Sequence, residues 1–182
     1  MISLRDVRSE DKEMIRNWRN LREVARYMYS DHYITPEEHE KWFENVLKDP
    51  TRRYWIITYN GEDVGLANLY DIDNHNRRCY WAFYLASTNI RGKGVGSFVE
   101  YSVLQHVFGK LNFNRLCCEV LAFHQAVIDM HKSFGFVQEG YFRQHVMKGG
   151  QPVDVVALAI MREEWESRRG EIEGRLRAKG LL

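Results

Sequence analysis

The sequence predicts one mixed α/β domain in which antiparallel strands flank a single parallel β-α-β crossover. Three observations predict it. The chain has 182 residues, and at roughly 150 residues per domain that is one domain with a short appendage. Stretches of alternating hydrophobicity interleave with stretches of helical spacing in the order β-α-α-β-β-β-α-β-α-β-β, followed by a charged tail. A glycine-rich loop, Arg91-Gly92-Lys93-Gly94-Val95-Gly96, joins the last of three meander strands to a helix, where a crossover begins.

Each element has a local reason. Ile2 to Val7 alternates as a half-buried strand. Ser9 is read as the cap of a helix carrying Met14, Ile15 and Trp18, with Glu10 and Asp11 in its first turn. Thr35-Pro36-Glu37-Glu38 supplies a cap, a proline at the first position and two acids, so a helix follows with Trp42, Phe43, Val46 and Leu47 inward. Tyr54 to Tyr59 and Asp63 to Tyr70 form a hairpin about Asn60-Gly61. Asp71 to Asn76 reads as a loop, and Arg78 to Leu85 as the third strand. After the glycine loop come a helix from Ser97 to Gln105 and a strand from Leu116 to Leu121. A helix from Ala126 to Phe134 ends at Gly135. Phe136 to Met147 and Val153 to Met161 are long strands joined by Lys148 to Gln151. The tail, residues 163–182, is a helix whose five acids and five bases form a solvated face.

Composition bounds the partners. Lys plus Arg is 26 and Asp plus Glu is 25, a net charge of +1, which gives no basic face for nucleic acid. Cys79, Cys117 and Cys118 lack zinc-ligand spacing, so the expectation is reduced thiols, no metal and a cytoplasmic setting. The first residues contain no apolar signal core. The apolar run Val155 to Met161 is too short to span a bilayer, and no membrane partner is expected.

The glycine loop carries the first functional signal. Glycines there let successive backbone N–H groups converge on an anion, and the following helix adds a partial positive charge. Arg91 and Lys93 add full charges. A P-loop is excluded by the missing Gly-Lys-Ser/Thr, and a dinucleotide fold by the meander that precedes the loop. A second signal is Glu119, a lone carboxylate among Leu116, Cys117, Cys118, Val120 and Leu121. It is read either as a functional acid or as an ion-paired strand residue.

These residues resemble the GNAT acetyltransferases. Arg91, Gly94 and Gly96 match the family's Gln/Arg-x-x-Gly-x-Gly/Ala loop. His124, Met130-His131 and Gly135-Phe136 stand at the spacing where the family has Asn, Leu-Tyr and Gly-Phe. The resemblance implies a mixed, mostly antiparallel sheet, helices on both faces, and one parallel strand pair splayed to admit acetyl-CoA. It implies that Arg91, Gly92, Lys93, Gly94, Val95, Gly96 and Ser97 hold the pyrophosphate, with His124 in the place of a cofactor contact. A backbone N–H near Leu85 would face the thioester oxygen. Glu119 would be the general base, directly or through water. His131 either protonates the departing thiolate in place of Tyr, or packs against the cofactor.

Within the family the chain is most similar to the aminosugar-nucleotide N-acetyltransferases of pseudaminic acid synthesis. Trp18-Arg19-Asn20, Met28-Tyr29-Ser30, Ile34 to His39, and Tyr80 to Leu85 carry that likeness. It implies that Arg19 and His39 contact a nucleotide and that Asn68, Trp81 and Tyr84 border the sugar. The expected reaction is acetylation of the 4-amino group of a UDP-linked 4-amino-4,6-dideoxy-N-acetyl-altrosamine in a ternary complex. The alternatives are acetylation of a ribosomal-protein N-terminus and a non-catalytic acyl-CoA-binding module. The exposed edge of the C-terminal hairpin allows a homodimer.

Overall fold

The computed structural model describes all 182 residues. One sheet is built from β1 (Ile2–Asp6), β2 (Arg53–Tyr59), β3 (Glu62–Asp73), β4 (Arg78–Leu85), β5 (Arg115–Leu121), β6 (Val137–Lys148) and β7 (Gln151–Met161), in the order β1-β2-β3-β4-β5-β7-β6. Every neighbouring pair is antiparallel except β4 and β5.

Strand alternation gives the sheet two apolar faces, and helices cover both. On one face α1 (Lys12–Arg19) and α3 (Pro36–Val46) set Ile15 and Phe43 against Ile56 of β2 and Leu66 of β3. The short α2 (Arg22–Ala25) follows α1. On the other face α4 (Val95–Leu104), α5 (Gln125–Phe134) and α6 (Arg162–Ala178) bury Val99, Ile128 and Trp165 with Trp55, Leu69, Trp81 and Leu116. None of these helices is long and apolar enough to cross a membrane.

The parallel pair opens partway. β4 and β5 match Arg78 with Arg115, Cys79 with Leu116 and Tyr80 with Cys117, and no later residue is paired. Both strands nevertheless continue. β4 stays on β3 as far as Leu85–Gly65, and β5 stays on β7 as far as Leu121–Val155. A wedge-shaped gap therefore lies in the centre of the sheet.

Local chemistry accounts for most boundaries. Thr35 Oγ1 accepts the Glu38 N–H at 3.2 Å. Asn60 and Gly61 have φ of 52° and 86°, the mirror-image turn that suits a two-residue hairpin. Gly135, at φ 105°, closes α5 in a left-handed conformation.

Four elements differ from the sequence reading. The first helix is organised by Asp11, not Ser9: the Asp11 carboxylate accepts the Arg8 N–H at 2.8 Å and N–H groups of both Arg5 Nη1 and Nη2 at 2.8 Å. β3 runs through the expected loop to Asp73, because the Ile72 N–H reaches the Thr51 carbonyl at 3.0 Å and a bulge absorbs Asp71. After α4 the chain continues in wider turns from Gln105 to Lys110. The tail helix is solvated on one side only; it docks Trp165, Ile172 and Leu176 into the core.

Asp11 is the most consequential buried ionic group of the first layer. Asp11→Asn is expected to lower stability by about 2 kcal/mol near neutral pH, as read by urea denaturation. Arg5 holds the Asp11 carboxyl below the usual range. The advantage of the native residue is thus complete above the unfolded-chain value of about 3.9. It disappears as the pH falls through the depressed folded value.

Candidate active site

The gap presents unpaired backbone. The Ala86 N–H bonds to the Val64 carbonyl at 2.8 Å, which sets the phase of the β3–β4 ladder. Alternate residues of β4 then bond to β3, while Trp81, Phe83 and Leu85 direct their N–H and C=O the other way, toward β5. Beyond Tyr80 there is no strand to receive them. Phe83 and Leu85 thus offer a strand edge inside the sheet, suited to an extended amide-bearing chain. The Leu85 N–H marked out by the sequence is one of these free donors.

The glycine loop stands at the mouth of the gap. Gly92 and Gly94 have φ of 78° and 79°, and Gly94 directly precedes α4. The N–H groups of Val95, Gly96 and Ser97 fall in the first helical turn, where no helical carbonyl can accept them. Space behind the loop is tight. A Cβ on Gly94 would stand 2.5 Å from Leu181 Cδ1, and one on Gly96 would stand 3.3 Å from Met130 Sδ. Arg91 and Lys93 are exposed; Lys93 Nζ lies 5.5 Å from the Tyr59 ring centre, and Arg91 has no ion pair. Convergent donors, small residues and two cations fit a pyrophosphate. No cluster of His, Cys, Asp or Glu could hold a metal ion.

One sheet face at the gap is an open, polar cleft. Ala82 is exposed although it lies in mid-strand at the sheet centre, so it forms a floor rather than core. Tyr84 and Asn68 share this face with it. Glu119, past the last β4–β5 pair, projects to the same side and accepts the Tyr29 hydroxyl at 2.5 Å. Tyr70 and Tyr80 stack on one another at 5.3 Å beside it. Burial and the Glu119 charge both push the Tyr70 hydroxyl up. The segment bearing Tyr29 is tied to the β6–β7 turn. Lys148 Nζ donates to the Ala25 carbonyl at 3.1 Å, and Asp31 accepts the Gly149 N–H at 2.6 Å.

Arg19 closes α1 at the Tyr84 end of this cleft, where Trp18 meets the Tyr84 ring edge-on at 6.5 Å. Its terminal nitrogen donates to Ser30 Oγ at 3.2 Å. Its Nε and the Tyr84 Oη are both buried without a partner. Burial also raises the Tyr84 hydroxyl.

The opposite face is dry. His131 on α5 is 3% exposed and packs edge-on against Trp81 at 5.3 Å. Its Nδ1 lies 2.8 Å from Oε1 of Glu100 on α4. About two turns before His131, His124 is the residue that precedes α5. Burial lowers it to about 4, and its ring stacks on Tyr27 at 3.9 Å.

Two sequence-derived assignments change. Trp81 does not border an acceptor on the face of Tyr84. It is 1% exposed, lies on the dry face and stacks on Phe83 at 5.4 Å. His39 does not reach a nucleotide, because it is 3% exposed, stacks on Trp42, and its Nε2 bonds to the Lys12 carbonyl at 2.7 Å. Glu119 and His131 lie on opposite sides of the gap, and Arg19, Asn68 and Tyr84 on the Glu119 side.

Sequence reasoning passed over Tyr70 and Glu100 and assigned Tyr29 no role. The signal for Glu100 was present: it is a single carboxylate between Val99 and Val103 in an apolar helix, the same anomaly that singled out Glu119.

Comparison with known proteins follows this geometry. The acetyltransferase (GNAT) domain model matches residues 2–137. The chain is similar to a spermidine N(1)-acetyltransferase of Escherichia coli, 23% identical over 164 residues, covering 90% of this chain and 88% of that one. It is also similar to the acetyltransferase PseH of Campylobacter jejuni, 25% identical over 137 residues, covering 75% and 80%. Among solved structures, spermidine N-acetyltransferase of Vibrio cholerae in complex with CoA and spermine superposes with a TM-score of 0.84 at 21% identity, covering 91% of this chain and 98% of that one. Splayed parallel strands, glycine loop and family match agree: the chain belongs to the GNAT family and is an acetyl-CoA-dependent N-acetyltransferase.

Proposed function

We propose that the protein acetylates a primary amine carried on an anionic small molecule, and that a UDP-linked 4-amino-4,6-dideoxy sugar is that acceptor. The observation that carries the reading is the pair of buried, unpartnered groups, Arg19 Nε and Tyr84 Oη, on the side of the sheet that also carries Glu119. A guanidinium N–H and a phenol without protein partners call for an oxygen acceptor, and a diphosphate or sugar oxygen supplies one. An ammonium does not.

The chain's residues divide the chemistry. The glycine loop with Arg91 and Lys93 holds the pyrophosphate. The free edge of β4 aligns the pantetheine arm, and the Leu85 N–H donates to the carbonyl oxygen as charge grows there. Glu119 keeps one oxygen on the Tyr29 hydroxyl and takes the amine proton on the other. His131 meets the sulfur from the dry side and gives it a proton. Attack is direct, since the buried Cys117 and Cys118 have thiols that burial pushes up, away from the reactive thiolate.

A second reading, a polyamine acceptor, is favoured by the carboxylates of Asp71 and Asp73 near Tyr80 and by the similarity to spermidine acetyltransferases. Thiol release from acetyl-CoA, measured with the UDP-amino sugar, spermidine and an N-terminal peptide in parallel, separates these readings. Fastest turnover with the UDP sugar is expected; turnover with spermidine or peptide alone refutes the acceptor assignment.

In the same assay Arg19→Met is expected to raise the KM for the UDP sugar at least about tenfold with little change in kcat. Glu119→Gln is expected to lower kcat by roughly 10²-fold or more, the ordinary scale of general-base loss. Arg91→Ala is expected to raise the acetyl-CoA KM about tenfold while the melting temperature is unchanged, as for loss of one charge-assisted phosphate contact.

A further inference from the structure

Glu100 has 0% exposure, and one of its two oxygens, Oε2, has no partner. The other bonds to Nδ1 of His131 at 2.8 Å. As a packing device this pair is a poor choice. Desolvating a carboxylate is costly, and apolar residues of similar volume fill such a site without that cost. Burial pushes the Glu100 carboxyl up, while His131 pulls it down.

The imidazole lies beside the start of the gap. Trp81, against which His131 packs, is the first residue of β4 beyond the last pair with β5. Phe136 of the segment after α5 closes another side at 5.3 Å. The charged and titratable groups that face the pair are few. Cys118 on β5 feels the Glu100 charge and is held as a thiol. Arg175 on α6 favours the Glu100 carboxylate, and His124, just before α5, feels His131. His131 Nε2 has no protein partner and is not among the buried, sealed polar atoms.

We infer that Glu100 is a positioning residue for proton delivery: it holds His131 with Nδ1 bonded to the carboxylate, so that Nε2 is the nitrogen left free to serve the gap. This rests on the reading of His131 as proton donor given above. As the amine nitrogen bonds to the carbonyl carbon, the carbon–sulfur bond breaks and the sulfur keeps the bonding pair. Nε2 gives the sulfur its proton and is reprotonated from solvent. Of the two protons the ammonium loses, one goes to Glu119 and on to solvent; the other balances the proton left on sulfur. The Glu100 carboxylate stabilises the imidazolium form that must exist before this transfer.

Nitrogen-15 histidine NMR on the free protein tests this without any ligand. The native chain is expected to show His131 as the Nδ1–H tautomer, and Glu100→Gln to lower the proton affinity of that ring at least tenfold, about 1.4 kcal/mol. A native Nε2–H tautomer overturns the inference even if the variant fails to fold. In turnover, the alkaline limb of the kcat profile is expected to move about one pH unit lower in Glu100→Gln and to vanish in His131→Gln. A folded Glu100→Gln protein with both the ring titration and the alkaline limb unchanged overturns it as well. If the UDP sugar is not acetylated but another amine is, with tautomer and limb as stated, the acceptor assignment fails and the role of Glu100 is supported.

Discussion

The rest of the structure depends on two neighbouring strands that stop pairing while both continue. Separating β4 from β5 after Tyr80 and Cys117 leaves peptide groups in the middle of a sheet without partners. Unpaired buried backbone is costly. The fold tolerates it because each strand keeps its other neighbour, β3 or β7, over its whole length. The same opening provides a slot whose walls are hydrogen-bonding edges, and it ends at a helix N-terminus entered through left-handed glycines. A long, amide-bearing, pyrophosphate-bearing molecule is complementary to all of these features at once.

The gap also separates the chemistry by face. On one side Ala82 is a floor open to solvent, and Glu119 sits there among tyrosines. On the other, Glu100 of α4 is fully buried and His131 of α5 is only 3% exposed. A group that takes a proton from an incoming amine has to be reachable. A group that serves a leaving sulfur is better kept from water, which would compete for the proton. Alternation along β5 produces this division, since Glu119 and Cys118 are adjacent and necessarily point to opposite faces.

What could be read from the sequence was what short-range chemistry determines. The Thr35 cap, the Asn60-Gly61 turn, Gly135 and the glycine loop each need particular residue types at particular positions. What was missed depends on distant partners. Asp11 displaced Ser9 because Arg5 and Asp63 surround it with an ionic network. β3 outran its expected end because Thr51 supplies an acceptor. Both corrected site residues were legible after all. Trp81 and Tyr84 are an odd number of residues apart on one strand and cannot share a face. His39 lies on the apolar stripe of Phe43 and Val46, which marks it as core. The cleft itself was not legible, because the orphaned Arg19 Nε and Tyr84 Oη come from segments joined only by packing.

Amide hydrogen exchange on adding CoA tests the account most directly. In the free protein the Phe83 and Leu85 amides, which face the gap, are expected to exchange faster than the Ala82 and Tyr84 amides, which bond to β3. With CoA bound, the Phe83 and Leu85 amides and those of Val95 to Ser97 are expected to slow at least tenfold. CoA binding that leaves the Phe83 and Leu85 amides unchanged would contradict the gap as the cofactor site.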